Sequence, residues 1–339
     1  MIIDVHGHIT SPKLFQRFPM PPALADIEGM IQQKLDVGIE MTIVGSPVGE
    51  GTMMKVPGLD NYVQTADQLK SFHEWLASEC QKHSPHLKGY VYTNPFDESL
   101  LEQTAATARQ KEFVGLIINT SIKGEYLDSE KADSFFAMAA ELDMPVFLHP
   151  PAEPVGAASL RDYRLMEQVG RFNDVTTSLS VLVFSGRLEQ YPNLKFIGAT
   201  GGGSISLLPE RLDLAHQPRH WGKKPEQQGG APAAGPPGDR ASGPPGGPPQ
   251  GVIQQYENRI SQPPSTYIRK FYVDTASMSE AAMQANLQTL GAEHLLFGSD
   301  SPPLATPLRM LVDRINALPI SEDEKQQIRA ENARRLFKL

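Results

Sequence analysis

Short apolar runs rich in β-branched residues alternate along the chain with longer segments of helical periodicity. Such runs, separated by amphipathic stretches, are typical of buried strands in repeated strand–helix units. The eight predicted strands are residues 2–5, 41–44, 89–92, 114–118, 146–148, 194–197, 271–273 and 295–297. The predicted helices include residues 67–82, 99–110, 131–142, 178–190, 279–290, 307–317 and 321–337.

Eight alternations of this pattern predict an α/β fold, a single (β/α)₈ TIM barrel over residues 1–339. An open doubly wound sheet is the alternative, but that fold usually has a glycine-rich phosphate loop after its first strand. This chain has His-Gly-His there instead. Ser321 is the predicted N-cap of the last helix, because acidic residues follow it in the first turn. We expect this C-terminal helix to pack across the outside of the barrel.

One segment interrupts the pattern between the sixth and seventh strands. In residues 229–251, 15 of the 23 positions are Gly or Pro, so few apolar side chains offset the entropy of ordering. We therefore expect a disordered insertion, spanning about residues 222–252, within a single domain. A Pro-rich segment that binds a partner is the alternative.

The composition argues against several classes of protein. The net charge of −8 is spread without a basic block, so neither nucleic acid nor an anionic membrane is an expected partner. No apolar run approaches the roughly 18 residues of a membrane-spanning helix, and a signal-peptide pattern is absent. Cys80 is the single cysteine, so no intramolecular disulfide forms. We expect a cytoplasmic protein.

Four polar residues fall at the C-terminal ends of predicted strands. His6 and His8 follow the first strand, His149 the fifth, and Asp300 the eighth. Side chains two positions apart on a strand share a face, and barrel enzymes place their sites at this end. Three imidazoles and a carboxylate are typical ligands of a catalytic metal site. Each histidine alone also fits a structural role, and Asp300 alone fits an Asx turn before Pro302.

The chain resembles the amidohydrolase superfamily, and within it the amidohydrolase-2 branch typified by aminocarboxymuconate semialdehyde decarboxylase. The matching segments are DVHGHI at 4–9, VGLIINTSIKGEYLD at 114–128, AELDMPVFLHPP at 140–151, FSGRLEQYPNLKFI at 184–197, FYVDT at 271–275, FGSDSP at 297–302 and ENARRLF at 331–337. Together they are specific for the family and indicate little about the substrate.

The resemblance implies one divalent metal ion, usually zinc, with manganese or iron as alternatives. It places His6, His8 and His149 as ligands, and Asp300 as the fourth ligand or as the base beside the bound water. A divalent ion lowers the pKa of bound water toward neutrality and polarises a carbonyl oxygen. Asp300 can then take the proton of that water and pass it to the leaving group.

One departure from the family affects the expected reaction. The family usually has AHGGG after the sixth strand, whereas this chain has ATGGG, with Thr200 in place of the histidine. A threonine hydroxyl does not carry a proton near neutral pH, although it can hydrogen-bond a substrate oxygen or a water. The first expectation is therefore a metal-dependent hydrolase of a small organic substrate, one that bears a carboxylate.

Two alternatives to hydrolysis stay open. The first is a nonoxidative decarboxylase, another carbon–carbon lyase or a hydratase of the same family, which the resemblance favours and Thr200 disfavours. The second is a barrel without catalytic activity that binds a ligand or a partner protein. The retained set of metal ligands argues against this second alternative.

Further residues are candidates for the substrate pocket. Arg211 matches a family arginine that binds a substrate carboxylate across a dimer interface, which implies a homodimer; alternatively it pairs with acidic neighbours on a surface helix. Asn119 and Asp274 end the fourth and seventh strands, and either face the pocket or brace the barrel rim. The family arginine after the second strand is absent, and Lys55 is a candidate substitute. The loop at 45–62 is long enough for a substrate lid or for a local packing patch.

Overall fold

The computed structural model describes residues 1–18, 20–54, 56–160, 162–216, 259–304 and 306–339. Within these residues, eight parallel strands follow one another in chain order around a nearly closed barrel. The strands are β1 (Ile2–Gly7), β2 (Ile39–Val44), β3 (Leu87–Tyr92), β4 (Phe113–Asn119), β5 (Val146–His149), β6 (Phe196–Gly198), β7 (Tyr272–Asp274) and β8 (Leu295–Leu296). The amide of Val5 donates to the carbonyl of Phe297 at 2.9 Å, which joins the last strand to the first. The predicted TIM barrel is confirmed.

Helices surround the strands. They are α1 (Pro12–Arg17), α2 (Ile27–Leu35), α3 (Ala66–Lys82), α4 (Leu101–Ala108), α5 (Asp133–Leu142), α6 (Arg171–Phe184), α7 (Arg187–Gln190), α8 (Pro209–His216), α9 (Pro264–Ile268), α10 (Glu280–Leu290), α11 (Leu308–Ala317), α12 (Glu322–Gln326) and α13 (Asn332–Phe337). A π-helical turn, Met166–Gly170, leads into α6. The helix predicted at 178–190 was placed too late, because α6 already begins at Arg171 and ends at Phe184.

The strands are buried on both faces, as expected for a parallel sheet covered by helices. Along β4, Leu116 and Ile118 belong to the apolar cluster between the sheet and the helices. Ile117, between them, belongs to a second cluster inside the barrel, together with Phe147 of β5. Apolar side chains are therefore needed at successive positions, which explains why the strands were recognisable as continuous apolar runs.

The C-terminal segment closes the barrel at the end opposite the strand C-termini. Ser321 caps α12 through reciprocal hydrogen bonds with Glu324, as the sequence predicts. Further along, Leu336 and Phe337 pack against the cluster inside the barrel, and the Phe337 ring lies 5.9 Å from the Tyr90 ring. The segment thus covers the N-terminal opening and does not lie across the outside, because the apolar interior would otherwise contact water there.

Part of the sequence-based interpretation concerns residues that the structure does not describe. The Gly/Pro-rich segment predicted at 222–252, including 229–251, lies outside the described residues, as does Lys55. Helix α8 ends at His216 before this segment, and α9 begins at Pro264 after it. Among the described helices, none has the length and the apolar character needed to cross a membrane.

Candidate metal centre

The carboxyl ends of β1, β5 and β8 bring the four predicted metal ligands together. One ligand atom from each of His6, His8, His149 and Asp300, the His/Asp cluster, lies within 4.8 Å of all the others. Nε2 of His6 is 3.1 Å from Nε2 of His8, which is 3.2 Å from Oδ1 of Asp300. The His149 ring lies 5.2 Å from the His6 ring and 5.1 Å from the His8 ring, between centroids. The cluster lies at the mouth of the barrel.

A shift in strand register turns His6 toward this cluster. Val5 belongs to the apolar cluster inside the barrel, so strict alternation would turn His6 to the opposite face. The pairing of β1 with β2 shifts between Asp4 and Gly7, and the His6 amide donates to the Asp4 carboxylate at 3.0 Å. Beyond the shift, the His6 ring packs 4.9 Å from the ring of Phe147, an interior residue. Irregularities of this kind re-aim side chains beside active sites.

Each imidazole is held through its Nδ1 atom. The three contacts of Nδ1 are His6 to Oδ2 of Asp274 at 2.6 Å, His8 to the Gly45 carbonyl at 2.9 Å, and His149 to the Pro150 carbonyl at 2.8 Å. An acceptor at Nδ1 fixes the ring orientation and leaves Nε2 as the metal-binding atom. Ligand atoms about 2.0–2.2 Å from one shared ion lie roughly 3 Å from each other. The donor atoms and their spacing therefore fit one divalent metal ion.

The charges around the cluster are suited to a cation. Burial lowers the pKa of His6, but the carboxylates of Asp300 and Asp274 outweigh this effect and raise the pKa to about 9. Burial and the two neighbouring histidines hold the pKa of His149 well below its ordinary value. Burial alone would raise the pKa of Asp300, but the histidines hold it well below its usual range. The protein thus stabilises a positive charge next to an ionised carboxylate.

Asp274 orients His6 and is itself fixed from the other side. Its second oxygen accepts hydrogen bonds from the amides of Gly201 at 3.0 Å and Ala276 at 3.2 Å. A Cβ atom on Gly298 would lie 2.8 Å from Cβ of Asp274 and 3.1 Å from Cβ of His6, so glycine is required there. Of the two roles considered for Asp274, the structure shows the brace, and this brace positions a candidate metal ligand.

Two residues at the mouth have a left-handed backbone. The φ angle is 48° at Thr200 and 52° at Asp300. For a β-branched residue such as Thr200 this conformation costs about 1–2 kcal/mol and is rare. The hydroxyl of Thr200 is buried and has no hydrogen-bond partner among the described residues. Backbone strain of this kind is found preferentially at functional sites.

The two predicted substrate contacts lie apart from the cluster. Nδ2 of Asn119 donates to the Pro47 carbonyl at 2.9 Å, and the Tyr92 hydroxyl donates to its Oδ1 at 3.4 Å, so the protein itself uses both ends of this amide. Arg211 is exposed on α8, and its side chain forms no ion pair within the described part of the chain. Contact of either residue with a substrate stays a prediction, as does the homodimer that Arg211 implies.

The described residues of the loop at 45–62 form a structured wall of the mouth. The Asn61 side chain accepts from the Thr52 amide at 3.0 Å and donates to the Thr52 carbonyl at 2.8 Å. The Gln64 side chain accepts from the Glu50 amide at 2.8 Å and donates to the Val48 carbonyl at 2.7 Å. These bonds hold the loop in the position from which its first residue contacts His8.

Sequence reasoning missed Arg171 at the mouth and considered Tyr62 only as the last residue of the candidate lid at 45–62. Nη2 of Arg171 donates to the Ala152 carbonyl at 3.2 Å and to the Met53 carbonyl at 3.4 Å, so it joins the loops that follow β5 and β2. The hydroxyl of Tyr62 is buried. Placing the start of the helix at 178 left Arg171 in a connecting loop, where no periodicity marks a residue as functional.

Comparison with known proteins identifies the family. The model of the amidohydrolase family matches residues 3–339. The chain belongs to the amidohydrolase family. This confirms the resemblance seen in the sequence, and the molecule is an enzyme of the amidohydrolase fold.

Relatives of this amidohydrolase with a stated activity are decarboxylases. It is 24% identical to a 2-amino-3-carboxymuconate-6-semialdehyde decarboxylase of Dictyostelium discoideum, over 70% of this chain but only 56% of that relative. It is 22% identical to a 6-methylsalicylic acid decarboxylase of Penicillium expansum, over 99% of this chain and 95% of that relative. A solved dihydroxybenzoic acid decarboxylase from a Polaromonas species, with bound manganese and the inhibitor 2-nitroresorcinol, superposes with a TM-score of 0.74 at 19% identity. That superposition covers 100% of this chain and 97% of the solved chain.

These relatives overturn hydrolysis, the reaction first expected from the sequence. The expectation was wrong because it treated the family histidine, which Thr200 replaces, as indispensable for decarboxylation and considered Asp300 as a proton carrier only for hydrolysis. In the structure an ionisable group, Asp300, lies in the His/Asp cluster, and 18% of its side-chain surface is exposed. A candidate proton carrier is therefore present without the family histidine, and the relatives support the decarboxylase alternative better than hydrolysis.

Proposed function

We propose that this amidohydrolase is a metal-dependent, nonoxidative decarboxylase of a small hydroxylated aromatic carboxylic acid. The observation that carries the proposal is the His/Asp cluster in a chain that is similar, over 99% and 93% of its length, to two decarboxylases. Their names include 6-methylsalicylic acid and gamma-resorcylate decarboxylase, which supports hydroxybenzoic acids as the substrate class. The manganese in the Polaromonas structure supports a divalent ion as the cofactor, with zinc and iron as the other candidates.

His6, His8, His149 and Asp300 would hold the ion. When bound, a divalent ion acts as a Lewis acid that orients the oxygens of the substrate and draws electron density from them. The protein holds the histidines in place through acceptors at Nδ1, namely Asp274 and two backbone carbonyls. Such outer contacts fix the orientation of ligands and raise their affinity for the metal.

Asp300 is the group best placed to move the proton. Among the four residues of the cluster it alone is not fully buried, and its amide donates to the His6 carbonyl at 2.8 Å, which fixes the backbone. The histidines hold the pKa of Asp300 low and so keep it ionised; its carboxylate is therefore free to accept the proton of the substrate's phenol group once the substrate's oxygens are polarised. The resulting carboxyl group donates this proton to the ring carbon that bears the substrate carboxylate.

Protonation of the ring carbon is coupled to loss of the carboxylate. As the new C–H bond forms, the C–C bond to the carboxylate breaks and carbon dioxide leaves. The electron pair of that bond restores the aromatic ring, Asp300 is again ionised, and the product leaves as a phenolate that takes up a proton from water. The Thr200 hydroxyl is proposed to hydrogen-bond a substrate oxygen or a water, because it is buried and without a partner among the described residues.

Release of carbon dioxide by metal-loaded protein tests the proposal. Protein loaded with manganese or with zinc is incubated with 6-methylsalicylate, 2,6-dihydroxybenzoate and 5-carboxyvanillate, and carbon dioxide and the decarboxylated phenol are quantified. We expect equal amounts of the two products from at least one acid, loss of release with a chelator, and recovery when metal is returned. Absence of release from every acid, at full metal occupancy, would contradict the proposal.

An Asp300→Asn variant tests the proton-transfer step. We expect it to keep most of its metal and to lose turnover by about 10²–10⁴-fold, because the amide cannot accept and return a proton. Asp323→Asn, the same change at an exposed position of α12, is the matched control and should retain full turnover. An unchanged rate in Asp300→Asn would remove this residue from the reaction.

A further inference from the structure

The guanidinium of Arg171 lies beside the His/Asp cluster and forms no direct ion pair with any described carboxylate. Arg171 begins α6, and its Nη2 atom reaches the Ala152 carbonyl at 3.2 Å and the Met53 carbonyl at 3.4 Å. Ala152 lies three residues after His149 on the same loop. The side chain is therefore fixed at the barrel mouth, next to the loop that carries one of the candidate metal ligands.

The guanidinium of Arg171 is largely enclosed yet incompletely bonded. Its Nε atom is buried and has no hydrogen-bond partner among the described residues. None of the carboxylates in the described part of the chain forms an ion pair with it, although Glu167 and Asp300 are near enough to favour its charged form. A charged group removed from water is unfavourable unless another charge or further hydrogen bonds compensate. An anion that binds at this position supplies that compensation.

Tyr62 offers a second donor at the same place. Its hydroxyl is buried and without a hydrogen-bond partner among the described residues. Burial, with the nearby charges of Asp174 and Glu153, raises the pKa of Tyr62 to about 12, while the Ala152 amide close to the hydroxyl oxygen and the charge of Arg171 oppose this. The hydroxyl therefore stays protonated near neutral pH and can donate. Two adjacent donors, one of them charged, match the two oxygens of a carboxylate.

We propose that Arg171 and Tyr62 bind the carboxylate of the substrate next to the His/Asp cluster. The inference rests on the proposed function, because that function supplies a carboxylate at the barrel mouth. It assigns substrate recognition to residues of the chain itself, whereas Arg211 is expected to act from a second copy. The carboxylate loses its charge as it becomes carbon dioxide, so Arg171 holds the acid more strongly than the transition state or the phenol product.

Binding measurements with a charged and an uncharged ligand test this inference. Salicylate and salicylamide differ in charge at the carboxyl position, and calorimetry gives the dissociation constant of each with manganese-loaded protein. We expect Arg171→Gln to weaken salicylate binding at least 10-fold and to change salicylamide binding less than about 3-fold. Arg171→Lys should recover part of the salicylate affinity, and Tyr62→Phe should weaken it by a smaller factor. Arg109→Gln, on the protein surface, is the matched control and should bind both ligands as wild type does.

The kinetic signature separates recognition from structural support. For an acid that is turned over, Arg171→Gln should raise KM at least 10-fold with kcat unchanged or increased, because the lost interaction belongs to the ground state. If Arg171→Gln weakened binding of salicylate and salicylamide equally, Arg171 would only hold two loops together, and the inference would be overturned. Unchanged salicylate binding would overturn it as well, even in a protein that releases carbon dioxide. A third outcome is that salicylate binding depends on Arg171 but no carbon dioxide is released from any of the tested acids. That outcome would overturn the decarboxylase proposal and leave the inference about Arg171 in place.

Discussion

The two sides of the barrel mouth differ in how the protein treats its own polar atoms. On the metal side, Nδ1 of every histidine in the His/Asp cluster has an acceptor at 2.6–2.9 Å. On the substrate side, polar atoms of Arg171, Tyr62 and Thr200 are buried and have no partner among the described residues. Buried polar atoms are normally paired, so an unpaired group at the barrel mouth is open to a partner from outside the chain. The candidate metal ligands are thus arranged in advance, whereas the proposed substrate side leaves polar atoms for a ligand.

This difference predicts different consequences of substitution. Loss of a histidine on the metal side should remove the ion and with it every activity that depends on the ion, and loss of its supporting contact should weaken metal binding. A change on the substrate side should alter affinity or backbone strain and leave the metal in place. The substitutions that follow test this distinction.

The largest effect is expected from His149→Ala. Loss of one of four ligands should reduce bound metal from about one ion per chain to less than about 0.1 after gel filtration, and carbon dioxide release should be abolished. Metal content measured by mass spectrometry checks this result. His86→Ala is the matched control, because His86 precedes β3 at the opposite end of the barrel. A His149→Ala protein that kept its metal would show that the cluster is not the binding site.

A smaller effect is expected from Asp274→Asn. An amide at this position cannot accept from His6 with the strength of a carboxylate, so metal affinity should fall by about 10–100-fold. Competition with a chromophoric chelator measures this change, and Asp67→Asn, in the first turn of α3, serves as the control. Equal affinity in the two variants would mean that Asp274 does not support the metal ligand.

The smallest effect is expected from Thr200→Gly. Glycine adopts the left-handed backbone of this position freely, so the substitution should raise the free energy of unfolding by about 1 kcal/mol despite its greater flexibility in the unfolded chain. Urea denaturation of the metal-loaded protein checks the gain, with Thr200→Ala as a control that keeps a Cβ atom. Metal content should not change. A glycine variant no more stable than the alanine variant would argue against strain at Thr200.

Features that produce a pattern among neighbouring residues in the chain could be predicted from the sequence. The strands were recognisable because both of their faces are buried, and His149 was recognisable because it directly follows an apolar run. Arg171 could not be found in this way, since its place at the mouth depends on contacts with Ala152 and Met53. The register shift that turns His6 inward and the cover formed by the C-terminal segment also depend on tertiary packing.

The reaction type shows where reasoning from a single residue fails. Thr200 replaces the histidine that carries the proton in the family's decarboxylases, and hydrolysis was therefore preferred. The sequence already grouped Asp300 with the three histidines, and the geometry adds that part of its side chain is accessible. The identity of one residue does not decide a reaction when a neighbour can take over its role.

An anomalous-diffraction map from crystals grown with manganese tests the central claim most directly. The account predicts one strong peak within about 2.3 Å of Nε2 of His6, His8 and His149 and of a carboxylate oxygen of Asp300. A map in which these four side chains surround no peak, or in which the ion lies on other residues, would contradict it.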